Sequence, residues 1–181
     1  MDRRKLLAHA LAMGGVLGGV KIALLSAAYG AFGVGALVSP ATGVVLWVGA
    51  IGVLVLAAWR LRLRAGGFQP YPSVLLHLVL TWVVGQTVFV GFSILLFHVL
   101  SPGLLEATVE PMRAIAVKLG ERAGLPPDQV ASHAASITAA TSPFSVAGQL
   151  RGLRDGLLPG IVLAAIVAIP FRARRDAAAE G

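Results

Sequence analysis

The chain has 181 residues, of which 57% are hydrophobic and 13% are charged, and its mean hydropathy is +0.84. This composition excludes an ordinary soluble domain and is typical of a membrane protein. The 15 Lys and Arg residues outnumber the 8 Asp and Glu residues, but they lie beside apolar runs without an aromatic-rich basic surface, so nucleic-acid binding is not indicated.

Four long apolar segments follow one another along the chain. A helix rises ~1.5 Å per residue and the hydrocarbon core of a bilayer is ~30 Å thick, so each segment can form a membrane span. We predict spans at about 12–38, 43–60, 72–100 and 153–171. A cleaved signal peptide is the competing interpretation of the first segment, but its length and its interruption by Lys21 favour a span. The sequence therefore predicts an all-α polytopic membrane protein with four transmembrane helices.

Residues 102–152, between the third and fourth predicted spans, form the one substantial aqueous segment and carry charges of both signs. Apolar residues recur at helical spacing over 105–119, which predicts an amphipathic helix with a kink at Pro111. Gly124 is expected to end this helix, and Pro127 to begin a second short one. We therefore predict an extramembrane helical insert between the third and fourth spans.

Basic residues predict the orientation of the chain. The amino-terminal tail, the 60–64 turn and the carboxy-terminal tail (172–181) hold nine Arg and Lys residues, whereas the 39–42 turn holds none. The positive-inside rule then places both termini in the cytoplasm and the insert outside. The composition, rich in Ala, Gly, Val, Leu and Arg, resembles that of GC-rich bacteria, so we expect the inner (plasma) membrane of a bacterium.

The order of features resembles a known family. An Arg-rich turn with Gly66-Gly67-Phe68 precedes the long third span, and a charged helix and a small-residue last span follow. The motifs that carry the resemblance later in the chain are Ser101-Pro102-Gly103-Leu104-Leu105-Glu106, Gly124-Leu125-Pro126-Pro127-Asp128-Gln129-Val130 and Ser142-Pro143. Over most of residues 12–175 the chain resembles the bacterial membrane proteins grouped as domain of unknown function 4199. The resemblance implies four helices and a charged segment before the last one, and it implies no known activity.

Three polar residues inside the predicted spans are the candidate functional residues: Lys21, Gln86 and Ser93. A charge within a span is a functional hypothesis by default. Lys21 is therefore either a proton or ion relay or, as we favour, a side chain that snorkels to the cytoplasmic edge or makes a structural hydrogen bond. Gln86 and Ser93 are expected on one face of the third span, with Thr87 pointing away, where they tie helices together or line a polar conduit.

No metal or cofactor site is predicted. The sequence has no cysteine, and its histidines and carboxylates do not cluster at ligand spacing. His77 and His98 are ~31 Å apart along one helix, so we expect each to be an interfacial residue. His9 is expected in the amino-terminal extension and His133 in the external insert. Because no nucleophile and base occur at one depth, we expect the protein not to be an enzyme.

Small residues recur at helical spacing along the first span, in the sets Gly14/Gly18, Gly15/Gly19 and Ala27/Ala31/Gly35. Such spacing lets helices approach closely. The two alternatives are packing within the bundle, which we favour, and dimerisation.

The first functional hypothesis is a non-enzymatic structural or interaction protein whose insert lies on the membrane surface or docks a partner. The alternative is a small transporter or channel component that uses Lys21 and the Gln86 face. The expected partners are the lipid bilayer and, beyond it, a second copy of the chain or another membrane protein, but no nucleic acid.

Overall fold

The computed structural model of the chain describes residues 3–67 and 69–171. Within these ranges the chain folds into α-helices and contains no β-strand, which confirms the all-α prediction. The helices are α1 (Arg3–Phe32), α2 (Val34–Val38), α3 (Pro40–Arg64), α4 (Tyr71–Leu95), α5 (Gly103–Ala107), α6 (Val109–Arg122), α7 (Pro127–Ala135), α8 (Val146–Asp155) and α9 (Leu157–Ala168). The predicted tail 172–181 lies outside the described residues.

Four helical stretches are long and apolar enough to cross a membrane. They are Arg3–Phe32, Pro40–Arg64, Tyr71–Leu100 and Val146–Phe171. The third consists of α4 and a wider π-helical turn over Leu96–Leu100, and the fourth consists of α8, α9 and a 3-10 turn over Ile169–Phe171. The predicted membrane class with four spans is therefore confirmed.

The first span differs from its predicted limits of 12–38 at both ends. α1 begins at Arg3, so the apolar residues near the amino terminus belong to the same helix as Lys21. It ends at Phe32 because Gly33 adopts a φ of +70°, a conformation that residues with a side chain rarely take. The chain then resumes as the short helix α2 at Val34.

The fourth span begins at Val146, seven residues before the predicted start at 153. Ser145 fixes this start, because its Oγ accepts a hydrogen bond from the Gly148 backbone N–H at 3.1 Å, as an N-cap residue does. The helical stretch is interrupted at Gly156. Pro159 explains the interruption, since it has no N–H to donate to the carbonyl of Asp155 four residues earlier.

The insert contains α5, α6 and α7 and ends where α8 begins, so it is shorter than the predicted 102–152. The helix predicted over 105–119 is interrupted at Thr108, about one turn before Pro111, and continues as α6. Pro111 has no N–H for the Ala107 carbonyl, and the chain breaks where that hydrogen bond is missing. Gly124, with a φ of +71°, follows the end of α6, and α7 begins at Pro127, both as the sequence predicts.

The chain divides into two compact units. Unit 1 comprises the described residues within 1–21, 47–88 and 155–171, and unit 2 comprises residues 22–46 and 89–154. The core of unit 1 draws on α1, α3, α4 and α9, and Trp82 is its largest fully buried side chain. Leu17, Leu54 and Leu78 are also fully buried in it.

The core of unit 2 joins the end of α1, the turn between the first two spans, the end of α4 and the insert. Leu25, Leu37, Phe97 and Leu104 are its buried centre, and the Phe97 ring stacks on Phe144 with 4.6 Å between ring centroids. α2 also touches α6. The insert therefore packs on the turn that joins the first two spans.

Candidate functional site

Lys21 lies deep in the first span. α1 begins at Arg3, 18 residues earlier, so Lys21 lies about 27 Å along the helix from its basic end. Only 8% of the side chain is exposed, and its Nζ donates a hydrogen bond to Gln86 Oε1 at 2.8 Å. The Lys21 side chain therefore does not extend to the basic end of the helix. Of the two structural roles considered from the sequence, snorkelling and a hydrogen bond, the structure shows the hydrogen bond.

The indole of Trp82 forms the second contact of the Lys21 ammonium. Nζ lies 5.4 Å from the centre of that ring, and Trp82 is fully buried. A cation over an indole face is stabilised by about 0.5–2 kcal/mol, most where water is excluded. The amide oxygen of Gln86 and the indole face both stabilise the positive charge, and neither is a base that takes its proton.

Trp82 is itself held by the fourth span. Its Nε1–H donates to the Gly156 carbonyl oxygen at 3.1 Å, and its ring lies 5.3 Å from that of Trp47. A methyl group added at Gly160, one turn after Gly156, would overlap the indole. The missing side chain at Gly160 therefore lets α9 approach Trp82 closely, as small residues do between membrane helices.

Close approach of α1 to α4 brings Lys21 within reach of Gln86. A β-carbon added at Gly14 would lie 2.5 Å from Cβ of Val84, and one added at Gly18 would lie 2.6 Å from Cγ1 of Val88. The Gly14/Gly18 spacing thus serves packing within the protein, as favoured from the sequence.

The other two small-residue sets do not pack in this way. A β-carbon added at Gly15, Gly19 or Gly35 would meet no atom within 4 Å among the residues described. The packing that the sequence favours for all three sets is therefore present for only one of them.

Ser93 does not join the Lys21 and Gln86 pair. It lies seven residues beyond Gln86 on α4, about 10.5 Å along the helix. Its hydroxyl is buried and donates to the Phe89 carbonyl of its own helix at 3.0 Å. Thr87 bonds in the same way to Val83 on an exposed face. Of the three candidate residues, the structure thus brings two into direct contact and pairs the third within its own helix.

A pair of histidines escaped the sequence analysis. The rings of His9 and His77 stack with 4.8 Å between centroids and 13° between planes, and they are 4% and 0% exposed. The sequence analysis does not predict this contact. The direction of the spans was the signal in the sequence, because the first and third of four spans run the same way. His9 lies twelve residues before Lys21, and His77 lies nine residues before Gln86. Polar residues at matching depth on parallel spans are candidates for pairing.

The histidine pair is poorly arranged for one shared metal ion. Both rings are nearly parallel, and an imidazole binds a metal in its own ring plane, so a single ion cannot lie in both planes. None of the four ring nitrogens has a hydrogen-bond partner in the described part of the chain. The same residues contain no group of three or more His, Asp or Glu side chains that could hold a metal ion.

The comparisons with known proteins place the chain in a family. No curated protein and no solved structure matches it. Residues 14–173 match the family described as "Protein of unknown function (DUF4199)", which is the family that the sequence motifs resemble. The match covers nearly the whole chain, including Lys21, Gln86 and Trp82 and the part of α1 from residue 14 onward. The chain therefore belongs to this family of proteins of unknown function.

Proposed function

We propose that the protein is a non-enzymatic structural or interaction protein of a bacterial cell membrane, and that its insert is the interaction surface. The single observation that carries the proposal is an open apolar cleft of about 530 Å³ between α6 and α7. The occupant that we propose for the cleft is the surface of the lipid bilayer.

The cleft is apolar along most of its length. Met112, Ile115 and Leu119 line it from α6, and Ile137 lines it from the segment that follows α7. Leu119 is 55% exposed and Leu125, on the same rim, is 46% exposed. Large apolar side chains that stay exposed together on a segment outside the spans are typical of an interaction surface.

The chain path supports the bilayer as the occupant. α4 and its π turn end at Leu100, and α5 begins three residues later at Gly103. At its other end the insert runs directly into the fourth span at Val146. The insert is thus tied at both ends to helices that cross the membrane, so the nearest large apolar phase is the lipid itself.

The charges of the insert favour docking by apolar burial rather than by attraction to anionic lipid. Its three helices carry acidic and basic residues in nearly equal number: Glu106, Glu110, Glu121 and Asp128 against Arg113, Lys118 and Arg122. Interfacial helices bind by apolar area and by attraction of basic residues to anionic lipids. Because the charges of the insert nearly balance, its binding to the bilayer depends on buried apolar area.

The proposed orientation has both termini in the cytoplasm and the insert outside. Six basic residues flank the start of α1 and the end of α3: Arg3, Arg4, Lys5, Arg60, Arg62 and Arg64. The opposite turn between α2 and α3 has no basic residue. The positive-inside rule assigns the basic ends to the cytoplasm.

A transporter based on Lys21 is less well supported. The two contacts described above, an amide oxygen and an indole face, both stabilise the charged form of the Lys21 side chain. The buried, hydrogen-bonded ammonium is consistent with a tie between two spans.

Labelling of single cysteines tests the docking proposal, since the natural sequence contains no cysteine to interfere. Leu119→Cys, on the cleft, and Glu121→Cys, two residues on and about 200° around the same helix, would each carry an environment-sensitive fluorophore in proteoliposomes. We expect the label at 119 to be quenched by lipid-attached quenchers and the label at 121 by aqueous iodide.

Two results would contradict the proposal. Equal quenching of both labels by iodide would mean that the cleft faces water. Protection of the label at 119 from both quenchers would mean that protein, rather than lipid, covers it.

A further inference from the structure

A second apolar groove lies in unit 2, within the spans rather than on the insert. It has a volume of about 630 Å³ and runs between the end of α1, α2 and the start of α3. Its walls are mostly small side chains, including Ala27, Ala28, Ala31 and Ala36. These side chains are too short to fill the space, and the break at Gly33, with its φ of +70°, divides the helix beside it.

One end of the groove is polar. Thr42 lines it at the turn that joins the first two spans and is only 9% exposed. Ser39 lies beside it, and its Oγ accepts the Ala41 N–H at 3.3 Å. The groove thus carries hydroxyl groups at one end and apolar walls along the rest of its length.

We propose that this groove binds one acyl chain of a membrane phospholipid, with the Thr42 hydroxyl donating to an ester oxygen of the lipid at its mouth. The groove opens from helices that cross the membrane, so the medium around its apolar walls is hydrocarbon. Its hydroxyls lie where the spans emerge, which is the depth of the lipid esters. The polarity of the groove thus changes along its length as that of a phospholipid does.

An alkyl chain fits the groove better than a second copy of the protein does. Phe32 lines the groove and is 80% exposed, so an approaching helix, about 10 Å wide with its side chains, would have to pass over a projecting ring. A flexible chain can lie beside that ring. An ester oxygen also accepts the Thr42 proton, which the apolar face of a helix does not.

Native mass spectrometry of the full chain in detergent, with phosphatidylglycerol and phosphatidylethanolamine added as probes, tests this inference. We expect the wild type to retain one phospholipid per chain after detergent washing. Ala31→Leu fills the groove and should lower the retained fraction about tenfold, as blocking of an apolar pocket does. Thr42→Val keeps the shape and should weaken retention about two- to tenfold, the equivalent of one hydrogen bond.

Gly30→Leu is the matched control, because position 30 does not line the groove and an added β-carbon there meets no described atom within 4 Å. It should retain lipid as the wild type does. Thr42→Val also covers the case in which Ala31→Leu fails to fold, since it adds no volume. Loss of lipid from Gly30→Leu, no retained lipid on the wild type, or a dimer that Ala31→Leu dissociates would each overturn the proposal.

Discussion

An ammonium group inside a membrane span is tolerated here because two neighbours stabilise it. Lys21 donates to Gln86 Oε1 and faces the Trp82 ring, and all three residues belong to unit 1. Hydrogen bonds between membrane helices contribute only about 0.6 kcal/mol on average. The larger effect is the cost of a buried charge whose partner has been removed. Lys21 and Gln86 should therefore behave as a unit rather than as two independent contributions.

This coupling is testable by a double-mutant cycle. We expect Gln86→Leu alone to lower the free energy of unfolding by about 1–3 kcal/mol, because it leaves the Lys21 ammonium without that acceptor. The double variant Lys21→Met with Gln86→Leu should recover most of the loss, since both polar groups are gone. Thermal unfolding in detergent micelles measures each variant. Thr87→Val, which removes an exposed hydroxyl bonded within its own helix, is the control and should be nearly neutral.

Additive effects of the two single substitutions would contradict the account at this scale. They would mean that Lys21 and Gln86 are stabilised separately, as they would be if water or lipid headgroups reached the ammonium.

Single residues were predictable from the sequence, but their pairing was not. Lys21 and Gln86 stood out because polar groups are rare in spans. The start of α1 at Arg3 was not predictable, because nothing in the apolar run after Arg3 shows where the helix begins. The stack of His9 on His77 needed the register between α1 and α4, which the spacing of either helix alone does not contain.

Among the helices, α1 is the one whose packing depends most clearly on small residues. Gly14 and Gly18 face Val84 and Val88 on α4, whereas Gly15 and Gly19 meet nothing within 4 Å in the described ranges. Neighbouring glycines of one helix thus have opposite environments. A helix turns about 100° per residue, so adjacent positions point in different directions. Substituting each of them therefore separates the effect of packing on stability from the effect of helix propensity.

We expect Gly14→Leu to destabilise the protein by about 1–3 kcal/mol, since the side chain must displace Val84. Gly15→Leu makes the same chemical change one residue later and should be neutral or slightly stabilising, because glycine is a poor helix former. Thermal unfolding of the two variants in the same detergent compares them directly. Equal destabilisation would show that α1 does not pack on α4 through this face.

Helix ends were predictable where glycine or proline acts alone. Gly124 and Pro127 limit α6 and α7 as expected. Gly33 was not recognised as a break, because α1 contains five other glycines that stay helical. The start of the fourth span at Val146 was not predicted, because the polar residues of α8, among them Arg151 and Asp155, lower the hydropathy of this segment.

For the whole molecule, hydropathy predicted the number of spans, because a stretch of about 20 apolar residues has few alternatives to a membrane helix. The path of the insert was not predictable in the same way. Its contact with α2 and the stacking of Phe144 on Phe97 depend on tertiary packing within unit 2. One candidate span, Tyr71–Leu100, separates Ala65 from the insert along the chain.

The most direct test of the account is therefore cysteine accessibility on the two sides of the membrane. Asp128→Cys lies in the first turn of α7, and Ala65→Cys follows α3 directly. A membrane-impermeant maleimide applied to cells should label position 128 at once and position 65 only after the inner membrane is permeabilised. Labelling of both positions from the same side would mean that the number of spans is wrong, and labelling of position 65 alone would mean that the protein is inserted the other way round.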